Sequence, residues 1–224
     1  MLRFGPPDGP VVIAAPALFE EGNRTRAFLV RILRLLGARG VASVLPDLPG
    51  QGESMFPIEQ VTIMRWMEAF EAACEHTAKT ANVVSTVSIR GGTLVDTLAL
   101  VQARWQLAPI EGEVLLKELW RVRQLGEGRR GEKYDRYRFV GEADVRVAGT
   151  TLTGDLRAGL LGASPHLSKD GVPVRVVRLD ADPLAADLKL PGRPLWRASE
   201  PDVEEALAVA LADDIAAWVR TCAA

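Results

Sequence analysis

Apolar positions along this chain alternate between two rhythms. Short apolar-rich runs at Val11–Ala15, Val41–Leu45, Val83–Val87 and Val174–Leu179 read as strands buried on both faces. Between them, apolar residues recur at helical spacing. Phe28, Leu29, Ile32, Leu33 and Leu36 form one stripe, closed by Gly40, and Ile63, Met64, Met67, Phe70 and Cys74 form a second. Strand–helix alternation of this kind predicts a mostly parallel sheet with helices on both faces, the four runs lying side by side. Helices are predicted after the Val83 run, over Thr93–Leu100, and over Val114–Val122. At the end of the chain, Val203, Leu207, Leu211, Ile215 and Trp218 predict a helix behind a Ser199/Asp202 cap.

The middle of the chain breaks the pattern. Gly126–Lys133 is charged and glycine-rich and reads as an exposed loop, its arginines offering a basic docking patch that the interleaved glutamates weaken. Arg138–Val147 is predicted as a hairpin or extended arm. Together, Glu111–Asp155 are expected to form a small cap over the strand ends, within one domain spanning residues 1–224. At 224 residues and 48% hydrophobic content, the chain can bury one sizeable core.

Charge and composition remove several functions. A net charge of −2 gives no general electrostatic case for nucleic acid or an anionic membrane. Cys74 and Cys222 suggest reduced thiols, and no segment reaches the roughly 18 apolar residues of a membrane span. The start of the chain lacks the apolar run of a signal peptide, so a cytoplasmic location is expected. Nothing in the sequence calls for a cofactor or a metal.

The chemistry concentrates after the third strand. Ser88-Ile89-Arg90-Gly91-Gly92 occupies the strand–turn–helix context in which a Gly-x-Ser-x-Gly motif presents a nucleophilic serine. With Gly92 as the closing glycine, Arg90 holds the nucleophile seat and Ser88 the first glycine seat. A guanidinium stays protonated and cannot attack a carbonyl. Pairing the two glycines differently seats Ile89, which is inert. Seating Ser88 puts Arg90 where close helix–strand approach wants a glycine. His76 and His166, the two histidines, both precede Asp182, the acid candidate after the late strand. No Ser–Asp–His order of the usual kind can be assembled from them.

Two further segments carry a resemblance. Asp47-Leu48-Pro49-Gly50-Gln51-Gly52-Glu53-Ser54 looks like the turn after a strand in α/β-hydrolases, with Asp47 and Ser54 stabilising that turn. Pro16-Ala17-Leu18-Phe19-Glu20-Glu21-Gly22-Asn23 resembles the Glu-Glu-x-Asn segment of the exosortase A system-associated hydrolases, whose elbow also carries arginine. Arg104-Trp105-Gln106, Val147–Leu152 and Pro194-Leu195-Trp196 resemble later segments of that group. The resemblance implies an α/β-hydrolase fold in a bacterial exopolysaccharide or protein-sorting context. Against that fold the first two strands look absent or reduced, leaving a bare sheet edge that a homodimer or protein partner could cover.

Topology then gathers Glu20, Glu21 and Asn23, Arg90 and Asp182 beyond the strand ends. Such a cluster is either a structural ion pair that fixes loops or a site in which Arg90 recognises a small anionic or acyl ligand. Three functions remain open: a binding or accessory protein without serine-hydrolase chemistry, a hydrolase of an acyl or glycan-linked ester using a non-standard site, and a structural assembly subunit.

Overall fold

The computed structural model describes residues 1–81, 83–128, 133–141, 143–166 and 171–223. Its elements in chain order are β1 (Leu2–Phe4), β2 (Val11–Ala15), α1 (Phe19–Ala38), β3 (Ala42–Leu45), α2 (Ile63–Ala78), β4 (Val84–Ile89), β5 (Ala103–Leu107), α3 (Gly112–Gly126), α4 (Arg136–Gly141), β6 (Val145–Val147), β7 (Thr150–Leu152), α5 (Gly154–Leu161), β8 (Val174–Leu179), β9 (Leu188–Leu190) and α6 (Glu205–Ala223). Among the described residues the central sheet has seven strands in the order β1-β3-β2-β4-β5-β8-β9. Only β1 runs antiparallel; every other neighbouring pair is parallel.

Strand β2 shows how the sheet divides the core. Successive side chains point to opposite faces. Val11, Ile13 and Ala15 therefore pack with Trp66 and Phe70 of α2, while Val12 and Ala14 pack with Phe28 and Ile32 of α1 and Leu211 of α6. Helix α6 is also held by polar contacts. Its Asp214 accepts from Trp105 Nε1 at 2.8 Å and from Arg175 Nη2 at 2.7 Å.

Five expectations need correction. The Val83 and Val174 runs are not adjacent, because β5 lies between them. Its buried Arg104 and Gln106 alternate with Trp105 and Leu107, and that polarity hid the strand. The helix expected over Thr93–Leu100 is a short 3-10 turn, Arg90–Leu94, followed by turns. Arg104 binds this segment: its Nη2 donates to the carbonyl of Ala99 and to that of Asp96, which a helix through Leu100 would use for the Leu100 N–H. The edge expected to be bare is covered by β1, whose Leu2–Phe4 pair with Leu45–Ser43 of β3. The arm expected at Arg138–Val147 is instead helix α4 followed by the β6–β7 hairpin. Finally, α6 begins at Glu205, beyond the expected Ser199/Asp202 cap, and Asp202 is bound instead by Arg193 at 2.8 Å and by the Val203 N–H at 2.7 Å.

The region between β5 and β8 runs from α3 through α5. Leu115, Leu119, Phe139, Leu152, Leu156 and Leu160 join the α2 side of the core. Of the Gly126–Lys133 tract, residues 129–132 lie outside the described residues, and the docking-patch alternative lies with them.

Candidate functional site

Strand β4 ends in a tight turn whose first residue is Arg90. Arg90 has φ +52, the left-handed region that costs a non-glycine residue about 1 kcal/mol or more. The turn is held by its neighbours. A Cβ at Gly92 would lie 2.3 Å from the Ala15 carbonyl oxygen and 2.4 Å from that of Pro16, so only glycine lets the turn press against the end of β2. Thr93 Oγ1 donates back to the Arg90 carbonyl at 2.7 Å. This is the register in which Gly92 closes the elbow and Arg90 holds its apex.

Arg90 is 6% exposed, and its guanidinium is committed on two sides. Nε lies 3.2 Å from Glu21 Oε2, and Nη2 lies 2.9 Å from Glu21 Oε1 and 2.6 Å from Glu118 Oε2. The face of the guanidinium is covered by Trp196, whose ring centroid is 5.1 Å from Cζ. One cation thus ties the first turn of α1 to the middle of α3. Burial pushes the Glu21 carboxyl above its usual range, against the pull of Arg90, and the neighbouring Glu118 carboxyl adds to the rise. Arg197 continues the chain of charges, reaching Glu118 Oε1 at 3.3 Å from an exposed position.

The other candidates make contacts of their own. Glu20 pairs with Arg24, one turn along α1. Asn23 is exposed and lines a different cavity, with Gln51 and Thr150. Asp182 follows β8 and pairs with Arg178 at 2.7 Å, and its Oδ1 caps the Leu184 N–H at 3.0 Å. Burial acts to raise its pKa, but the Leu184 N–H and Arg178 outweigh this, and the net direction is down. The expected convergence of Glu20 and Asn23 on Arg90 is therefore corrected; Asp182 lines the same cavity as Arg90 but pairs with Arg178, and of the acids named from sequence Glu21 alone contacts the Arg90 guanidinium. Asp47 reaches out of the turn to Arg26 of α1 at 3.2 Å, while Ser54 Oγ accepts from the Gly50 and Phe56 N–H groups at 3.2 Å within the turn.

Ser88 is fully buried in β4 and donates to Asp96 Oδ2, which Thr86 Oγ1 also reaches at 3.0 Å. Burial raises Asp96 to about 6, against these two donors and Arg104. Ser88 faces this internal network and not a cavity. His76 is exposed in the last turn of α2. His166 borders a cavity with Thr97, Gln102 and Val172, beside the start of β5. Neither histidine lines the space at Arg90.

That space is a cavity of about 340 Å³ at the carboxyl ends of β4, β5 and β8, the expected ligand position of a parallel sheet. Arg90, Ile110, Val114, Glu118, Leu179 and Trp196 are among its walls. Sequence reasoning missed Glu118 and Trp196. Glu118 sits on the border of the Leu115/Leu119 stripe, and nothing in a helical pattern says which loop that border will face.

No protein-family model and no curated protein matches this sequence. Solved structures do. Est1E from Butyrivibrio proteoclasticus with ferulic acid bound superposes with a TM-score of 0.67 at 18% identity, covering 96% of this chain and 91% of that one. DcsB in complex with its substrate analogue gives 0.60 at 15% identity, over 96% and 90%. A monoacylglycerol lipase from Paleococcus ferrophilus gives 0.58 at 12% identity, over 99% and 98%. The chain has the α/β-hydrolase fold, with a mostly parallel sheet and helices on both faces.

Proposed function

We propose that this chain is a ligand-binding α/β-hydrolase-fold protein without serine-hydrolase chemistry. The observation that carries the reading is Arg90 at the apex of the elbow, its guanidinium held by Glu21 and Glu118. Nucleophilic catalysis needs an attacking group and an adjacent base. The apex supplies a permanent cation, Ser88 is turned into the core, and both histidines lie away from the cavity. Arg90 is also charge-balanced, which disfavours it as an anion receptor. The ligand that suits the cavity is therefore neutral and largely apolar, such as an acyl group, with α3 and the segments after it acting as the cap. The Glu-Glu-x-Asn and arginine-elbow resemblance supports a role for this binding protein as an accessory component of a bacterial exopolysaccharide or exosortase-type system.

One observation favours a second reading. Glu21, raised by burial and by the neighbouring Glu118 carboxyl, could hold a proton for a non-standard hydrolysis. A panel of ester and thioester substrates, with calorimetric binding of a neutral short-chain ester such as ethyl butanoate, separates the two. The binding reading expects heat of binding and no turnover above the buffer rate. Turnover abolished by Glu21→Gln would favour the second.

A further inference from the structure

A second cavity of about 380 Å³ lies on the far side of the same wall. Leu18, Leu115, Leu119, Val122 and Leu125 line it, and Glu118, Trp196 and Arg197 line both cavities. We propose that the two cavities are halves of one elongated site for an uncharged, unbranched alkyl chain, with the Arg197–Glu118 bridge lying across the path between them. This deepens the ligand-binding reading above and rests on it.

Helix α3 sets the shape. Val114 lines the first cavity, Glu118 lines both, and Val122 and Leu125 line the second. These positions climb one side of the helix at spacings of three and four. From Val114 to Leu125 the helix rises roughly 16 Å, longer than a compact ring compound and suited to a chain laid along its axis. Val114 and Leu125, the two ends of this run, are exposed, as is Leu184 opposite Val114. They give the cleft an apolar mouth at each end.

Charge sets the chemistry. Inside the walls each charged side chain is matched: Arg90 with Glu21 and Glu118, Arg178 with Asp182, and Glu20 with Arg24. Among the described residues the unmatched lining charges are Glu111 and Arg121, both exposed at the rims. A charged group drawn into the interior would find no free partner there, whereas a methylene chain would meet leucine, valine and the Trp196 ring. The dividing bridge is weak by construction. Arg197 is 67% exposed and 3.3 Å from Glu118, so the side chain can swing out with little loss.

The test is calorimetric titration with 1-alkanols from butanol to dodecanol, on the wild-type chain, Arg197→Ala and Arg197→Lys. Affinity is expected to climb about fourfold per methylene and to keep climbing through dodecanol. Arg197→Ala should bind dodecanol about two- to fivefold tighter and butanol unchanged, and Arg197→Lys should return to the wild-type profile. A plateau at short chains, identical in all three proteins, would overturn the single cleft. With ethyl butanoate still binding, only the cleft falls; if neither alkanols nor ethyl butanoate bind, the ligand-binding reading falls with it.

Discussion

Replacing Arg90 by serine puts a hydroxyl where the fold would use a nucleophile and removes the cation that joins α1 to α3. The structure sets the cost. Arg90 is 94% buried, since 6% is exposed, and it makes its shortest contact, 2.6 Å, with Glu118. Without it, the Glu21 and Glu118 carboxyls face one another, with Arg197 left as a single exposed partner. Breaking a fully buried pair costs about 3–5 kcal/mol. The two carboxyls are partly hydrated and can share a proton, so about 2–4 kcal/mol is expected here. Serine at φ +52 gives no backbone relief. The pH dependence has a definite sign. A carboxyl whose folded pKa is raised binds extra protons in the native state, so its stability contribution falls as pH rises from the ordinary value, 4.5, through the folded value. Losing Arg90, which pulls Glu21 down, widens that window. The deficit in urea unfolding should therefore be smaller near about pH 5 than near about pH 8. Alongside unfolding, hydrolysis of p-nitrophenyl acetate should stay at the buffer rate, because no base stands beside the new hydroxyl. A variant as stable as wild type, or one that turns over esters well above background, would refute this reasoning.

Three further outcomes follow from the same geometry. Gly92→Ala drives a methyl group against the Ala15 and Pro16 carbonyls and should cost about 3 kcal/mol or more, or abolish soluble expression, by urea unfolding. Ser88→Ala removes one donor from Asp96 while Thr86 remains, so a loss of about 1–2 kcal/mol is expected with ligand affinity unchanged. Asp96, raised from 3.8 to about 6, should make stability fall as pH rises across that window by on the order of 3 kcal/mol; Asp96→Asn should flatten that slope in pH-dependent unfolding.

Much of the architecture was legible before the structure. The bounds of β2 and β8 match the apolar runs from which they were read, and the α1 and α3 stripes face the core as expected; of the α2 stripe, Met64 is exposed, and Trp66 is buried beside Ile63, Phe70 and Cys74. What escaped were elements whose polarity is satisfied internally. Strand β5 carries Arg104 and Gln106 inside the protein, and Asp96 hides beneath β4, so composition alone argued against burial at each. The site was half legible. Arg90 and Glu21 could be placed by the rule that ligands gather beyond parallel strand ends. Glu118, Trp196 and Arg197 could not, because their arrival at Arg90 depends on how α3 and the segment before α6 fold back over the sheet, which no local pattern encodes.

The most direct test of the central claim is intact-mass spectrometry after treatment with a fluorophosphonate probe, with peptide mapping of any adduct. A buried Ser88 bound to Asp96 and an elbow occupied by Arg90 predict an unmodified protein at the mass of the untreated chain. A stoichiometric single adduct, mapped to Ser88 or to any other serine, would contradict it.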